Sequence, residues 1–260
     1  MSKLILSGIS GFIDPTDITN LIVWFDGDYV GNTVDTTTYD SFSIIADRSG
    51  NGNHATQGTK LNQPTRQTVG SKYFWQTDGT ADYLELTDET AFQNDSECTI
   101  FQVLNNTTIR NYPIDINYRT ALATFLQPFC AAHDVGLNYS WLYIVRDNLG
   151  TVWNQMYGNI DMRNNKFVTA WRTNGTAYSM RVNGVPDTFN FSYGSNDGDF
   201  FDDFTNQPDY ANLGRSQING GSNTYYRTSF VGDWLYYNRS LTDTEVANVE
   251  NYLIAKHSIT

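Results

Sequence analysis

Between two short runs of strand-forming residues the chain reads Asp47-Arg48-Ser49-Gly50-Asn51-Gly52-Asn53-His54-Ala55-Thr56-Gln57. Two strong turn dipeptides, Ser-Gly and Asn-Gly, fall within four residues, and a compact loop between strands is the backbone that accommodates them. Glycine takes positive φ at no steric cost and Asn and Asp bond their own backbone, so this loop is expected to be ordered. Asp47, Ser49, Asn51 and Asn53 also place oxygen ligands at alternate positions, a donor set that suits a hard cation such as Ca²⁺. Turn chemistry alone accounts for the same residues.

The remainder of the chain is of the same kind. Glutamate occurs five times against 23 aspartates, while aromatic residues make up 15% and charged residues 17%. Little Glu and Lys with much Thr, Tyr, Phe and Asn favours sheets and loops over helices. Strands are expected over 18–25, 43–46, 68–75, 83–86, 99–104, 120–126, 140–146, 152–157, 166–172, 177–182 and 230–237, with residues 26–40 as a surface loop. Asn183-Gly184 marks a hairpin turn. A single helix is expected at the end. There Thr242-Asp243-Thr244-Glu245 forms a capping box, Leu241 and Val246 a hydrophobic staple, and Val246, Val249 and Leu253 a stripe at helical spacing. With no internal repeat or low-complexity linker, residues 18–260 read as one domain behind a tether or linking segment, 1–17.

Charge narrows the partners. A formal net charge of −12 argues against nucleic acid and against an anionic membrane surface, both of which need clustered Lys and Arg. No apolar run approaches 18 residues, so membrane insertion is not expected, and residues 1–12 lack the apolar core of a secretory leader. Assembly inside a cell, or export by another route, is the corresponding expectation. The two cysteines, Cys98 and Cys130, give no disulfide framework and are expected as free, partly buried thiols.

In order along the chain, several segments resemble a known family. They are Leu21-Ile22-Val23-Trp24-Phe25-Asp26, the loop Asp47 to Gln57, Gln63-Pro64, Asp78-Gly79-Thr80-Ala81-Asp82-Tyr83-Leu84, Tyr178-Ser179-Met180-Arg181-Val182-Asn183-Gly184, Leu213-Gly214-Arg215, and the run from Phe230 through Trp234 to Val246. Together they are similar to laminin-G-like, concanavalin-A-like lectin/glucanase domains, over roughly residues 18 to 255. The resemblance implies an all-β, concanavalin-A-like jelly-roll sandwich of two antiparallel sheets with one short C-terminal helix. Domains with this aromatic strand and Asn-Gly loop are similar to those in virion proteins of tailed bacteriophages and in adhesins.

That family includes glycanases, whose chemistry needs a pair of carboxylates. In its glucanases the catalytic pair comes from a Glu-x-Asp-x-Glu strand, whose period of two puts the side chains on one face. Glu85, Glu89, Glu97, Glu245 and Glu250 form no such pattern, and the chain is expected not to be an enzyme. His54, His133 and His257 are scattered, which leaves zinc unsupported. No cofactor is required on this reading. Ca²⁺ is a candidate at Asp47, Asn51 and Asn53, and in the acidic loop at Asp197 and Asp199 with Asp202 and Asp203 nearby.

Sugar rings stack on exposed aromatic faces while their hydroxyls seek amides and carboxylates. Trp141, Trp153, Tyr157, Tyr225 and Tyr226 are the candidate carbohydrate-binding residues, and Trp24, Trp171 and Trp234 are assigned to the core. The expected function is a non-enzymatic bacteriophage virion component (capsid decoration, fibre or tail) with a lectin-like outward domain. Its partners would be other virion proteins, further copies of itself and cell-surface glycans. A secreted or cell-surface carbohydrate-binding module or adhesin, located at the extracellular surface, is the alternative, and a glycoside hydrolase is disfavoured.

Overall fold

The computed structural model describes residues 12–36, 40–88, 90–105, 110–111, 114–117, 125–131, 140–147, 152–162, 165–218 and 223–260. The expected tether falls mostly outside them. All strand pairing among these residues is antiparallel.

One sheet runs, in hydrogen-bond order, Val185–Pro186, Tyr178–Val182, Lys166–Thr173, Cys98–Asn105 and Thr228–Tyr237. The long strand Thr228–Tyr237 then shares its far side between two neighbours. Its first half pairs with Lys72–Asp78 and its second with Leu21–Asp26. Thr65–Val69 follows outside Lys72–Asp78.

The second sheet runs Thr33–Asp35, Ser41–Ile45, Ala55–Thr56, Leu84–Leu86, Tyr210–Leu213, Asp115–Asn117, Phe125–Ala131, Trp141–Arg146, Trp153–Gly158 and Phe189–Tyr193. A single Ser41–Thr65 pairing joins the two sheets. This is the expected antiparallel sandwich.

Period-two alternation sorts the side chains into layers. Val23, Phe25, Ile100, Leu104, Trp234 and Tyr236 face the second sheet, where they meet Phe42, Leu84, Trp141, Tyr143 and Met156 in one core. Their strand neighbours Trp24, Phe101, Val103, Leu235 and Tyr237 face the other way and pack under the C-terminal helix, on Val246, Val249, Tyr252 and Leu253. The molecule therefore has three layers, helix, sheet and sheet, and Trp24, Trp171 and Trp234 are all fully buried, as expected.

The helix Asp243–His257 starts where the sequence places it. Thr242 Oγ1 accepts from Glu245 N, and the Glu245 carboxylate accepts from Thr242 N. Its last turn is fastened by buried charge. Lys256 Nζ lies 2.6 Å from Asp26 Oδ1 and 2.9 Å from both oxygens of Asp233. Asp233 also accepts from Trp24 Nε1 at 2.7 Å and from His257 Nε2. Arg48 completes the network on the other oxygen of Asp26 at 2.7 Å, its guanidinium 3.9 Å above the Trp24 ring. Burial works against charge on Asp233, but Lys256 and His257 outweigh it and hold its carboxyl well below the ordinary range.

Several expectations are corrected. Residues 68–75 form no single strand: the chain reverses at Gly70-Ser71, giving the hairpin Thr65–Val69 and Lys72–Asp78. The surface loop 26–40 contains the strand Thr33–Asp35. The strand expected over 120–126 is Phe125–Ala131, with 118–124 outside the described residues. The Asn183-Gly184 turn forms as expected, both residues at positive φ (50° and 78°), and returns the chain into Val185–Pro186. Cys98 is a buried free thiol whose pKa burial pushes up, and the side chain of Cys130 lies outside the described set.

Candidate functional site

The helix covers one sheet, whereas the outer face of the second sheet is not covered by that helix. In Trp141–Arg146, residues 141, 143 and 145 point into the core and Leu142, Ile144 and Arg146 lie on the other face, where Leu142 is itself buried in a small cluster with Ile144 and Tyr157. Register carries the outer set across the next strand: Leu142 opposes Tyr157, Ile144 opposes Gln155, and Arg146 opposes Trp153. The edge strand Phe189–Tyr193 follows, with Phe189 and Phe191 inward and Asn190 opposite Tyr157.

Simple alternation would then send Tyr193 into the core. It does not. Gln155 opposes Tyr193 while the adjacent Met156 opposes Phe191, so Ser192 is an extra residue, a β-bulge. Such an insertion re-aims the side chains beyond it. Tyr193 is turned outward to lie on Trp153, ring centroids 4.4 Å apart and planes 19° from parallel. From the opposite flanking strand, the Arg146 guanidinium sits 4.2 Å from the Trp153 ring centre. Trp153 keeps 41% of its surface exposed, and the stack Arg146–Trp153–Tyr193 ends at the sheet edge with Tyr193, 51% exposed.

The mount of this stack is buried. Asn154, beside Trp153 but facing inward, donates from Nδ2 to Tyr178 Oη at 3.0 Å and to Asp197 Oδ1 at 2.8 Å, and its Oδ1 accepts from Ser195 N at 3.0 Å. Gly194, at φ +76°, makes the turn out of the edge strand. A Cβ there would stand 1.9 Å from Asn154 Oδ1. The acidic loop is in this way tied directly to the aromatic stack. Burial first, and then the charges of Asp197, Asp203 and Asp202, raise the Asp199 pKa above the usual carboxylate value.

The five aromatic candidates separate. Trp153 and Tyr157 lie together on the outer face. Trp141 is fully buried, its indole N–H on Asp187 Oδ2 at 2.7 Å and its ring packed on Tyr143 and Phe189; it is core and no platform. Arg146 in the same strand marks the solvent side and, by period two, the opposite side for Trp141.

Tyr225 and Tyr226 belong to a separate two-stranded ribbon, Arg215–Ile218 with Asn223–Tyr226. Tyr225 is 45% exposed, with Arg227 5.2 Å from its ring. Tyr226 lies 6.3 Å from Tyr83, over which Arg215 stacks at 3.4 Å while bonding Glu85 and Tyr210 Oη. Strand Tyr210–Leu213, just before the ribbon, is four ladder steps from Trp153–Gly158, roughly 19 Å. Tyr193 is the residue that sequence reasoning missed, because the bulge that exposes it has no residue-type signature.

Side chains offered as cation ligands are engaged in hydrogen bonds. Asp47 is buried, and its carboxylate accepts four donors: Trp24 N and Ser49 N at 2.9 Å on Oδ1, Ser49 Oγ at 2.7 Å and Asn53 N at 3.1 Å on Oδ2. Asn51 turns its Nδ2 to the Leu21 and Ile22 carbonyls, and Asn53 does the same to Ile22. The loop is a clamp on the strand Leu21–Asp26. Asp197 is similarly engaged by Asn154, Ser195 Oγ and Asp199 N. Among the described residues no group of three His, Cys, Asp or Glu side chains is placed to hold a metal. A cleft of about 210 Å³ near the helix start is lined by Arg172, Tyr178 and Ser240. Arg172 is already spent there on Ser179 Oγ, the Leu241 carbonyl and Asp243.

No family model matches the chain, and no curated protein matches it. Among solved structures it is similar to the binding domain of Paraclostridial Mosquitocidal Protein 1, with a TM-score of 0.59 and 10% identity over 93% of this chain and 53% of that one. It is also similar to the receptor binding domain of botulinum neurotoxin C/D mosaic serotype, at 0.57 and 9% identity over 92% and 52%. Trypanosoma rangeli sialidase gives 0.55 and 13% identity over 94% and 34%. The chain spans about half the length of the two toxin chains. Identities this low establish shared fold, a β-sandwich architecture, and leave function to the site itself.

Proposed function

We propose that the chain is a non-catalytic glycan-binding module, with Tyr193 as its stacking platform. One observation carries this reading: an aromatic ring half-exposed at a sheet edge and stacked on Trp153, against which Arg146 also packs. A pre-stacked ring loses little rotamer freedom when a sugar lands on it, and its outward face offers the C–H-rich side of a pyranose an apolar surface. Gln155 and Tyr157 on the same face supply hydrogen-bonding groups for hydroxyls. Stacking of this kind requires no cation, so EDTA leaves binding unchanged. That two similar folds are a binding domain and a receptor-binding domain is in keeping with such a role.

A glycan array, repeated with Tyr193→Ala, tests the proposal. Retention of at least one glycan class, lost roughly 10-fold or more in the variant with an unchanged melting temperature, is the expected result. An array with no retained glycan, or a variant that binds like the parent, refutes it.

The finer placement, as a decoration, fibre or tail component of a tailed-bacteriophage particle assembled with other virion proteins or copies of itself, rests on the sequence resemblance. Mass spectrometry of purified particles tests it, and absence from every particle fraction removes it in favour of a cell-surface adhesin.

A further inference from the structure

We propose that the Tyr193 site takes uncharged sugar residues and discriminates against acidic ones such as sialic and uronic acids; the inference rests on the glycan-binding reading above. Among the described residues, the polar side chains flanking Tyr193 on this face are neutral apart from Arg146. Gln155 faces Tyr193 across the strand pair, Tyr157 lies two residues further along, and Asn190 opposes Tyr157. Amides and phenols both donate and accept, which matches hydroxyl groups and leaves a carboxylate without a charged partner. Among the described residues, Arg146 is the one cation on the outer face of these three strands, and its guanidinium is laid against Trp153.

Charge beyond the platform has the opposite sign. The segment leaving Tyr193 passes Gly194 and Ser195 and then carries Asp197, Asp199, Asp202 and Asp203 within seven residues. Asp197 reaches back to Asn154, the residue next to Trp153, so the loop is fixed beside the stack. These carboxylates already oppose one another: burial first, and then neighbouring charge, lifts Asp199 and Asp202 above the ordinary range. The whole chain carries −12. An acidic sugar on Tyr193 would desolvate a charge without gaining a cation and enter a negative field, whereas a neutral one desolvates only hydroxyls, which the amides and phenols can pair.

The test uses an array of oligosaccharide pairs, each a neutral core and the same core capped with sialic or glucuronic acid, at low and at high salt. The expected result is binding of neutral cores through Tyr193 (lost in Tyr193→Ala), with the acidic partner weaker by about tenfold at low salt and the gap narrowing as salt screens it. Asp199→Asn, which keeps the backbone bonds of the loop, should narrow the same gap without changing neutral binding. Acidic glycans that bind as well as or better than their neutral cores, in a Tyr193-dependent way, overturn this inference and leave the glycan-binding reading standing. Retention of no member of any pair overturns both.

Discussion

Replacing Lys256 with Met isolates the charge that fastens the helix to the sheet. The Lys256 side chain is 7% exposed, and those of its partners Asp26 and Asp233 are 2% and 0% exposed. Methionine fills similar volume in a helix, so packing and propensity change little. What changes is that two buried carboxylates lose three contacts of 2.6 to 2.9 Å. Asp26 keeps Arg48, but Asp233 keeps only the Trp24 and His257 ring donors. Removing one partner from a buried ionic network costs about 3 to 5 kcal/mol. For a chain of this size that lowers Tm by roughly 6 to 20 °C.

Urea unfolding followed by tryptophan fluorescence measures the loss directly, since Trp24 sits inside the network. Asp233→Asn keeps an oxygen for the Trp24 indole while removing the charge. Combined with Lys256→Met it should therefore restore part of the loss, a coupling of about 1 kcal/mol or more. A single-variant loss below about 1 kcal/mol, or strictly additive effects, would refute the reasoning. The pH dependence has a definite sign. Asp233 is held below its unfolded value near 3.9, so its stabilisation is present above about pH 4 and is lost as pH falls through its lower folded value. Burial works against charge on Lys256, but Asp233 and Asp26 outweigh it and raise its pKa. Its share is therefore present below about pH 10.4 and lost as pH rises through the higher folded value.

Two further outcomes follow from the loops. Asp47→Ala should cost about 2 to 4 kcal/mol, because the Trp24 and Asn53 amides are left without their acceptor inside the fold. Neither Ca²⁺ nor EDTA should move the parent's melting temperature, and a shift of several degrees on adding Ca²⁺ would show that the clamp is a metal site after all. Gly194→Ala should destabilise by about 1 to 3 kcal/mol, and glycan binding should fall further than that alone explains, because the positive φ and the contact with Asn154 hold Tyr193 in place. Circular dichroism melts beside binding isotherms separate the two effects, and an Ala variant that binds normally would count against the mount.

What was legible in the sequence divides along physical lines. Local chemistry was readable: the capping box at Thr242, the Asn183-Gly184 turn and the buried strand around Trp24 all occur where their residue types require. Tyr193 was not, because period two is broken by a bulge whose cause is pairing with a strand some 38 residues earlier. The hydrogen-bonding role of the Asp47 carboxylate was hidden for a similar reason. Its oxygens resemble cation ligands until Trp24 N arrives from 23 residues away to occupy one of them. Trp141 could have been placed correctly, since Arg146 labels the wet side of its strand, whereas composition alone ranks every tryptophan equally.

The covered sheet gives the molecule a front and a back. Residues 15–19 lie against Tyr237 and Arg239, the Pro15 carbonyl accepting from Tyr237 Oη at 3.0 Å, on the same side as the C-terminal helix. Residues 15–19 and the C-terminal helix therefore both lie at the back, with two sheets, about 10 Å apart, between them and the Tyr193 edge. Anything packed against this back face, whether a lattice, a stalk or a neighbouring domain, would leave the aromatic stack facing away from it.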